Sequence, residues 1–281
     1  ASETEKQKIG RREPGNDDDD DDDDDDELGG EGGDGARGYQ RVGENVTEGR
    51  RDWHEAVDFY REFDTDATTD GGSKGRKRSY ELLRGPNLWP AQPEELRQVF
   101  EAYIEDVETV GTAVVRAMGM ALGLEGEDAE VFVEATRRSF WVMRMIGYPP
   151  LQDGGEEGVS CGEHTDYGCV TLLLADETKG ALKVQRKSGE WVDADPVEGA
   201  FVVNVGDMME RWTNGLWKST RHRVVHRGGG YRVSVPFFFE PDFDAVVRPL
   251  EKCVKETGGK VKYEEVVYGE HLIAKIKGNF Y

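Results

Sequence analysis

Residues 160–175 read SCGEHTDYGCVTLLLA. The second half, Cys169 to Ala175, is short, rich in valine, threonine and leucine, and bounded by turn residues, so it reads as a buried strand. Its head carries His164 and Asp166, one residue apart. The strand pattern repeats on both sides: FWVMRMIGY (140–148) before it, then ALKVQ (181–185), EWVDA (190–194), AFVVNV (200–205), STRHRVVH (219–226) and YRVSVPFFF (231–239). DGGEEG (153–158), KSGE (187–190) and RGGG (227–230) punctuate them as turns. Seven or eight short strands in about a hundred residues imply an antiparallel sandwich or jelly roll, so the fold class is mainly β with flanking helices.

Upstream the pattern changes. From Pro93 the apolar residues Leu96, Val99, Phe100, Tyr103, Val107, Val110, Val114 and Met118 step by three or four, as an amphipathic helix does, with Gly123 as its stop. A second helix is expected over 127–138 and a C-terminal one over 263–276. Between Tyr39 and Pro90 aromatic residues are frequent and Pro, Gly and Asn interrupt any period, which suggests an ordered but irregular flank packed on the main domain. Residues 1–38 contain ten consecutive aspartates, Asp17 to Asp26, and a glycine-rich stretch with nothing to bury, and read as a disordered acidic tail. The expected organisation is therefore a tail (1–38), a helical and irregular flank (39–138) and a jelly-roll domain with a C-terminal helix (139–281).

The formal charge of −22 falls to −11 once the block Asp17 to Glu27 is set aside. An acidic remainder repels nucleic acid and anionic membrane, so neither is expected as a partner, and an anionic ligand must meet a local basic group. Three cysteines (Cys161, Cys169, Cys253) make no disulfide framework, and no run approaches the ~18 apolar residues of a membrane span. A soluble, cytoplasmic protein is the expectation.

On a strand, side chains at i and i+2 share a face about 6–7 Å apart, so His164 and Asp166 can converge on one ion, with Cys161 on the opposite parity. A third ligand must come from a neighbouring strand. His54 lies in the flank and His271 in the C-terminal helix pattern, which leaves His222 and His226. Thr220, Val224 and Val225 favour a strand there, on which four residues span about 13 Å, so only one of the two histidines reaches the metal; spacing does not choose between them. Two histidines and one carboxylate form the face that suits non-haem Fe(II), leaving positions for a chelating 2-oxo acid and O2. The competing reading makes these polar residues at strand ends. Downstream, Arg232 and Ser234 share a face, and an arginine turned into a barrel is costly unless it meets an anion. Tyr148, before Pro149, is placed to offer its phenol to the same anion.

These residues carry a resemblance. GYQRVGENVTEGRRDWHEAVDFYRE (38–62), LRGPNLWP (83–90), MIGYPP (145–150), CGEHTDYGCVTLL (161–173), NVGDMMERWTNGLWKSTRHRV (204–224), YRVSVPFFFEP (231–241) and YGEHLIAKIKGNF (268–280) are similar to the isopenicillin N synthase-like group of Fe(II)/2-oxoglutarate-dependent dioxygenases. The resemblance covers roughly 38–281 and implies a double-stranded β-helix. It implies His164, Asp166 and His222 as the iron ligands, with His226 outside the set. It implies Arg232 and Ser234 as the grip on the distal carboxylate of 2-oxoglutarate and Tyr148 as a further contact. The expected reaction is oxidation, most commonly hydroxylation, of a small organic molecule with release of succinate and CO2. The family's leading strand and helices are replaced here by the acidic stretch, so an incomplete N-terminal region or an exposed sheet edge is expected. Ile146 stands where plant relatives often carry an asparagine that helps hold the cosubstrate. Two enzymatic alternatives share the iron: an oxidase of the isopenicillin N synthase or aminocyclopropanecarboxylate oxidase type, which omits 2-oxoglutarate, and an ethylene-forming type. A third reading is a non-catalytic acidic binding protein acting through its aspartate arm. Trp141, Tyr167, Trp217 and Phe237 to Phe239 are either pocket walls or plain core.

Overall fold

Strand β12 (Arg232–Phe239), the longest, lies between β5 (Val142–Tyr148) and β7 (Val170–Ala175) at the middle of the larger sheet. The computed structural model describes residues 2–11, 36–47, 49–62, 83, 86–151 and 159–280. In chain order the elements are α1 (Glu3–Lys8), β1 (Gly38–Gln40), β2 (Val46–Thr47), β3 (Arg50–Arg51), β4 (Glu55–Tyr60), α2 (Leu96–Ala121), α3 (Val131–Ala135) and β5. There follow β6 (Cys161–His164), β7, β8 (Leu182–Gln185), β9 (Trp191–Asp193), β10 (Val202–Val205), α4 (Asp207–Trp212), β11 (His222–Val224) and β12. The chain closes with β13 (Val246–Val247), α5 (Glu251–Glu256), β14 (Val266–Val267) and α6 (Tyr268–Phe280).

The larger sheet runs β1-β4-β5-β12-β7-β10 and the smaller one β6-β11-β8-β9, every pair antiparallel. From β5 onward the chain passes repeatedly between the two sheets, as in the jelly roll expected from the strand rhythm and the double-stranded β-helix that the resemblance implies. Alternation places Arg232, Ser234, Pro236 and Phe238 of β12 on the face toward the small sheet, while Phe237 and Phe239 point outward into the main core. Helix α2 covers that outer face. It seats through Ile104, Val107, Gly111, Val115 and Gly119, and a Cβ at Gly111 would lie 2.7 Å from the Phe239 ring. The expected stripe is thus rotated: Val99 and Val110 are exposed, because the side that carries glycine approaches the sheet most closely. Gly123, at φ +61°, does end the helix.

Several expectations change. The flank contributes β1 and β4 to the large sheet rather than only packing on it. Of the tail, residues 12–35 lie outside the described residues, but residues 2–11 are structured: α1 is capped by Ser2 and Ile9 is buried. Tyr39 N donates to Ile9 O at 2.7 Å and Arg11 N to Tyr39 O at 2.9 Å, so this segment pairs along the outer side of β1 and covers the edge expected to be bare. The helix expected over 127–138 shortens to Val131–Ala135, and the C-terminal helix starts at Tyr268 because Val266–Val267 pair with β13. No helix among the described residues is long and apolar enough to cross a membrane.

Candidate metal centre and its two chambers

Three strand registers build the site. His222, the first residue of β11, pairs directly with His164, the last of β6, and their ring centroids lie 4.2 Å apart. Asp166 follows in the turn after β6, its Oδ1 3.6 Å from His222 Nε2. The ligand atoms of His164, Asp166 and His222 all lie within 4.8 Å of one another. His226, the alternative, is buried elsewhere, with Nε2 2.6 Å from Gly230 O. Hydrogen bonds aim the donors. His164 Nδ1 donates to Gly162 O (2.9 Å) and His222 Nδ1 to Thr220 O (3.1 Å), so each ring keeps its Nε2 lone pair for the centre. Asp166 Oδ2 accepts from Thr171 Oγ1 and Asn204 Nδ2, both at 2.6 Å, leaving Oδ1 for a metal. Thr171 and Asn204 are themselves register partners on β7 and β10.

The electrostatics agree with a cation site. Burial works to raise the pKa of Asp166, but His222, His164 and the two hydrogen bonds outweigh it and hold the carboxyl below its ordinary value. Burial lowers the pKa of His222, against the pull of Asp166, so the ring is neutral and ready to ligate at neutral pH. A two-imidazole, one-carboxylate donor set fits divalent iron with open positions.

Cys161 departs from the parity reading. Two steps of β11, from His222 to Val224, oppose three steps of β6, from His164 to Cys161, and the irregularity turns both side chains to one side. Cys161 Sγ thus lies 3.9 Å from His164 Nδ1. Asp52, His54 and Cys161 form a second cluster of donor atoms. His54 is spent internally, one ring nitrogen on Ser160 O (2.7 Å) and the other on Asn45 Nδ2 (2.9 Å), and Asp52 accepts from Thr47 and Gly162.

Two chambers meet at the triad, sharing His164, Asp166, Cys161, Arg144 and Phe238. The first, about 340 Å³, runs between the sheets to Arg232, Ser234 and Tyr148. Arg232 is 2% exposed, paired in register with Tyr148, and its guanidinium lies 4.9 Å from that ring. Its Nε and Nη1 have no hydrogen-bond partner among the described residues. Burial pushes the Tyr148 phenol up to about 12, so it stays protonated. A buried guanidinium edge with free donors, beside a hydroxyl and a phenol, is a receptor for a carboxylate. Ile146 lines this chamber without adding a polar group. The second chamber, about 150 Å³, is lined by Asp52, His54, Tyr167, Glu240, Tyr268 and Leu272 among others. Of the aromatic residues in question, Tyr167 and Phe238 face the chambers, Trp141, Phe237 and Phe239 are core, and Trp217 packs at its margin.

Sequence reasoning had given no role to Asn204, Thr171, Arg144 or Glu240. Asn204 carried a signal, a lone amide in the apolar strand VVNV, and so did Glu240, which continues the inward parity of β12 just past its end.

Residues 138–241 match the family model of the 2OG-Fe(II) oxygenase superfamily. The chain is 44% identical over 250 residues to the homoarginine-6-hydroxylase 2-ODD-233 of Oryza sativa subsp. japonica, covering 88% of this chain and 73% of that one. It is 42% identical over 253 residues to the homoarginine-6-hydroxylase 2-ODD-C23.1 of Arabidopsis thaliana, with the same coverage. Its fold matches the crystal structure of the dioxygenase for auxin oxidation in rice at a TM-score of 0.67 and 23% identity, covering 99% of this chain and 76% of that one. The chain belongs to the 2OG-Fe(II) oxygenase superfamily and is an iron- and 2-oxoglutarate-dependent dioxygenase.

Proposed function

We propose that His164, Asp166 and His222 hold Fe(II), that Arg232 and Ser234 grip the distal carboxylate of 2-oxoglutarate with Tyr148 beside them, and that the substrate is a guanidino amino acid of the homoarginine type. The observation that carries the cosubstrate assignment is the buried Arg232, whose Nε and Nη1 have no partner among the described residues, in the wall of the chamber that the triad also lines. The substrate class comes from the two plant relatives, named as homoarginine-6-hydroxylases. When bound, iron supplies the oxygen activation that couples decarboxylation of the 2-oxo acid to hydroxylation of a C–H bond.

The chain's own residues do the positioning. Arg232 and Ser234 fix the far end of the cosubstrate, which sets where its 2-oxo acid end reaches the triad. Thr171 and Asn204 hold Asp166 in one rotamer through its Oδ2. Phe238 and Ile146 line the chamber with apolar surface, and the sheets on either side limit water. Tyr167 lines the second chamber next to Asp166, on the side from which the substrate meets the centre.

Anaerobic titration of Fe(II) into protein with 2-oxoglutarate should develop the visible band of the metal chelate, and homoarginine should then accelerate succinate release in air. His222→Ala should abolish both signals while His226→Ala keeps them; equal loss in the two variants would overturn the ligand assignment. Oxygen uptake that proceeds without 2-oxoglutarate would overturn the cosubstrate assignment.

A further inference from the structure

The alternation that turns Arg232 inward at the start of β12 also turns Glu240 inward just past its end. Glu240 is 4% exposed and lines the second chamber beside Tyr268. The Tyr268 phenol and the Cys169 N–H act on its carboxyl as donors and partly offset the effect of burial, and its Oε2, which rests against Gly168, makes no further hydrogen bond among the described residues. The charges that act on it, Asp166 and Asp207, are negative. Burial first, and then these neighbours, push its pKa up to about 8. A buried carboxyl with two neutral donors and no cation beside it, and with negative charges acting on it, is destabilised as a carboxylate unless a cation meets it. The other acids of the chamber are already engaged: Asp52 by Thr47 and Gly162, and Asp58 by Arg144 at 2.6 Å and Gln40 at 2.6 Å.

We infer that Glu240 is the specificity-determining residue of the substrate chamber, pairing its carboxylate with the cationic guanidinium or ammonium of the substrate. The inference rests on the substrate class proposed above and names the group that reads it. It also fits the position named in the relatives: C6 of homoarginine bears the guanidino nitrogen, so an acid close enough to feel the Asp166 charge would hold that carbon beside the metal. The two ends of one strand face would then carry the anchors for the two small molecules, a cation for the cosubstrate and an anion for the substrate.

The test uses the anaerobic Fe(II)·2-oxoglutarate holoenzyme, titrated with L-homoarginine and with L-homocitrulline, its neutral urea isostere, while the chelate band is followed. Wild-type protein should prefer homoarginine by about tenfold or more, as a charge-assisted contact requires. Glu240→Gln should form the same chelate band with Fe(II) and 2-oxoglutarate, lose roughly 10- to 100-fold in homoarginine affinity, as expected for one charge-assisted hydrogen bond, and hold homocitrulline as before. In steady state the loss should fall on KM more than on kcat. Undiminished preference for homoarginine in Glu240→Gln would overturn the role of Glu240 while leaving the substrate class intact. Failure of wild-type protein to bind homoarginine would overturn the substrate class, and the inference with it. Should Glu240→Gln form no chelate band, Glu240→Asp decides: the shorter acid must keep a preference for the cation at lower affinity, and its loss overturns the inference.

Discussion

Arg232→Met separates the cosubstrate role of this residue from a role in folding, because the two make opposite predictions for stability. In wild-type protein the guanidinium is 2% exposed and two of its donors, Nε and Nη1, have no partner among the described residues. Unsatisfied buried polar groups cost about 1–3 kcal/mol each, and a similarly sized apolar side chain removes that cost. The contact with the Tyr148 ring at 4.9 Å returns about 1 kcal/mol that methionine loses. Protein without 2-oxoglutarate should therefore gain about 1–5 kcal/mol on substitution, or about 2–4 °C in Tm for each kcal/mol. Binding of 2-oxoglutarate should go the other way. Two charge-assisted hydrogen bonds at about 1.5–3 kcal/mol each correspond to roughly 10²- to 10⁴-fold in affinity. Thermal melts with and without Fe(II) and 2-oxoglutarate measure both effects: the wild type should gain stability on adding ligand and the variant should not. A variant that melts several degrees lower without ligand and binds 2-oxoglutarate within about threefold of wild type would refute the reasoning.

Other expectations follow from the same geometry. Asn204→Ala removes a 2.6 Å hydrogen bond to Asp166 Oδ2 and should weaken Fe(II) binding about 10- to 100-fold with little change in Tm, read from the iron dependence of the chelate band. His54 is buried and neutral, its pKa lowered to about 3 chiefly by burial. The unfolded chain binds that proton near pH ~6.5 and the native chain does not, so stability falls as pH drops from there toward 3, by at most ~1.4 kcal/mol per pH unit. His54→Asn should flatten the urea stability profile over that window by about one proton, and an unchanged slope would count against the buried neutral ring. Gly111→Val drives a side chain into the Phe239 ring and should cost about 1–3 kcal/mol, partly restored by Phe239→Leu; additive effects in the double variant would deny the contact.

The strand rhythm from Phe140 onward made the fold class legible because each core strand buries a side of regular period 2, which single residues report. The triad was readable for the same reason, since His164 and Asp166 flank a strand end and Arg232 and Ser234 share a strand face. What escaped was whatever depends on partners distant in sequence. Spacing within STRHRVVH does not contain the pairing of β11 with β6 that sets His222 beside His164, so His222 was preferred to His226 on the resemblance alone. The orientation of Cys161 was misread because the irregularity between β6 and β11 breaks the period locally. The seated side of α2 was misread because glycine carries no hydrophobic signal, yet Gly111 marks where helix and sheet come close and Gly119 where the helix meets Phe132 of α3. Residues 2–11 looked featureless beside the aspartate run, but their hydrogen bonds to Tyr39 come from the backbone, to which composition is blind.

Three cross-strand registers account for the whole site. His164 opposite His222 sets the imidazole pair, Thr171 opposite Asn204 sets the two donors that orient Asp166, and Tyr148 opposite Arg232 sets the proposed anion receptor. Each pair joins segments far apart in sequence, and in each an antiparallel shift of one residue would send a functional side chain to the opposite face. The chemistry therefore depends on the strand pairing as a set. That makes it robust to changes in loops and sensitive to insertions within β6, β7, β10, β11 or β12. A one-residue insertion between Phe237 and Phe239 would leave Arg232 and Ser234 in place but turn Glu240 out of the chamber, so it should retain 2-oxoglutarate binding while removing the preference for a cationic substrate. Loss of both together would mean that β12 cannot shift its parity locally and that its two anchors are coupled through the Phe237 and Phe239 packing beneath α2.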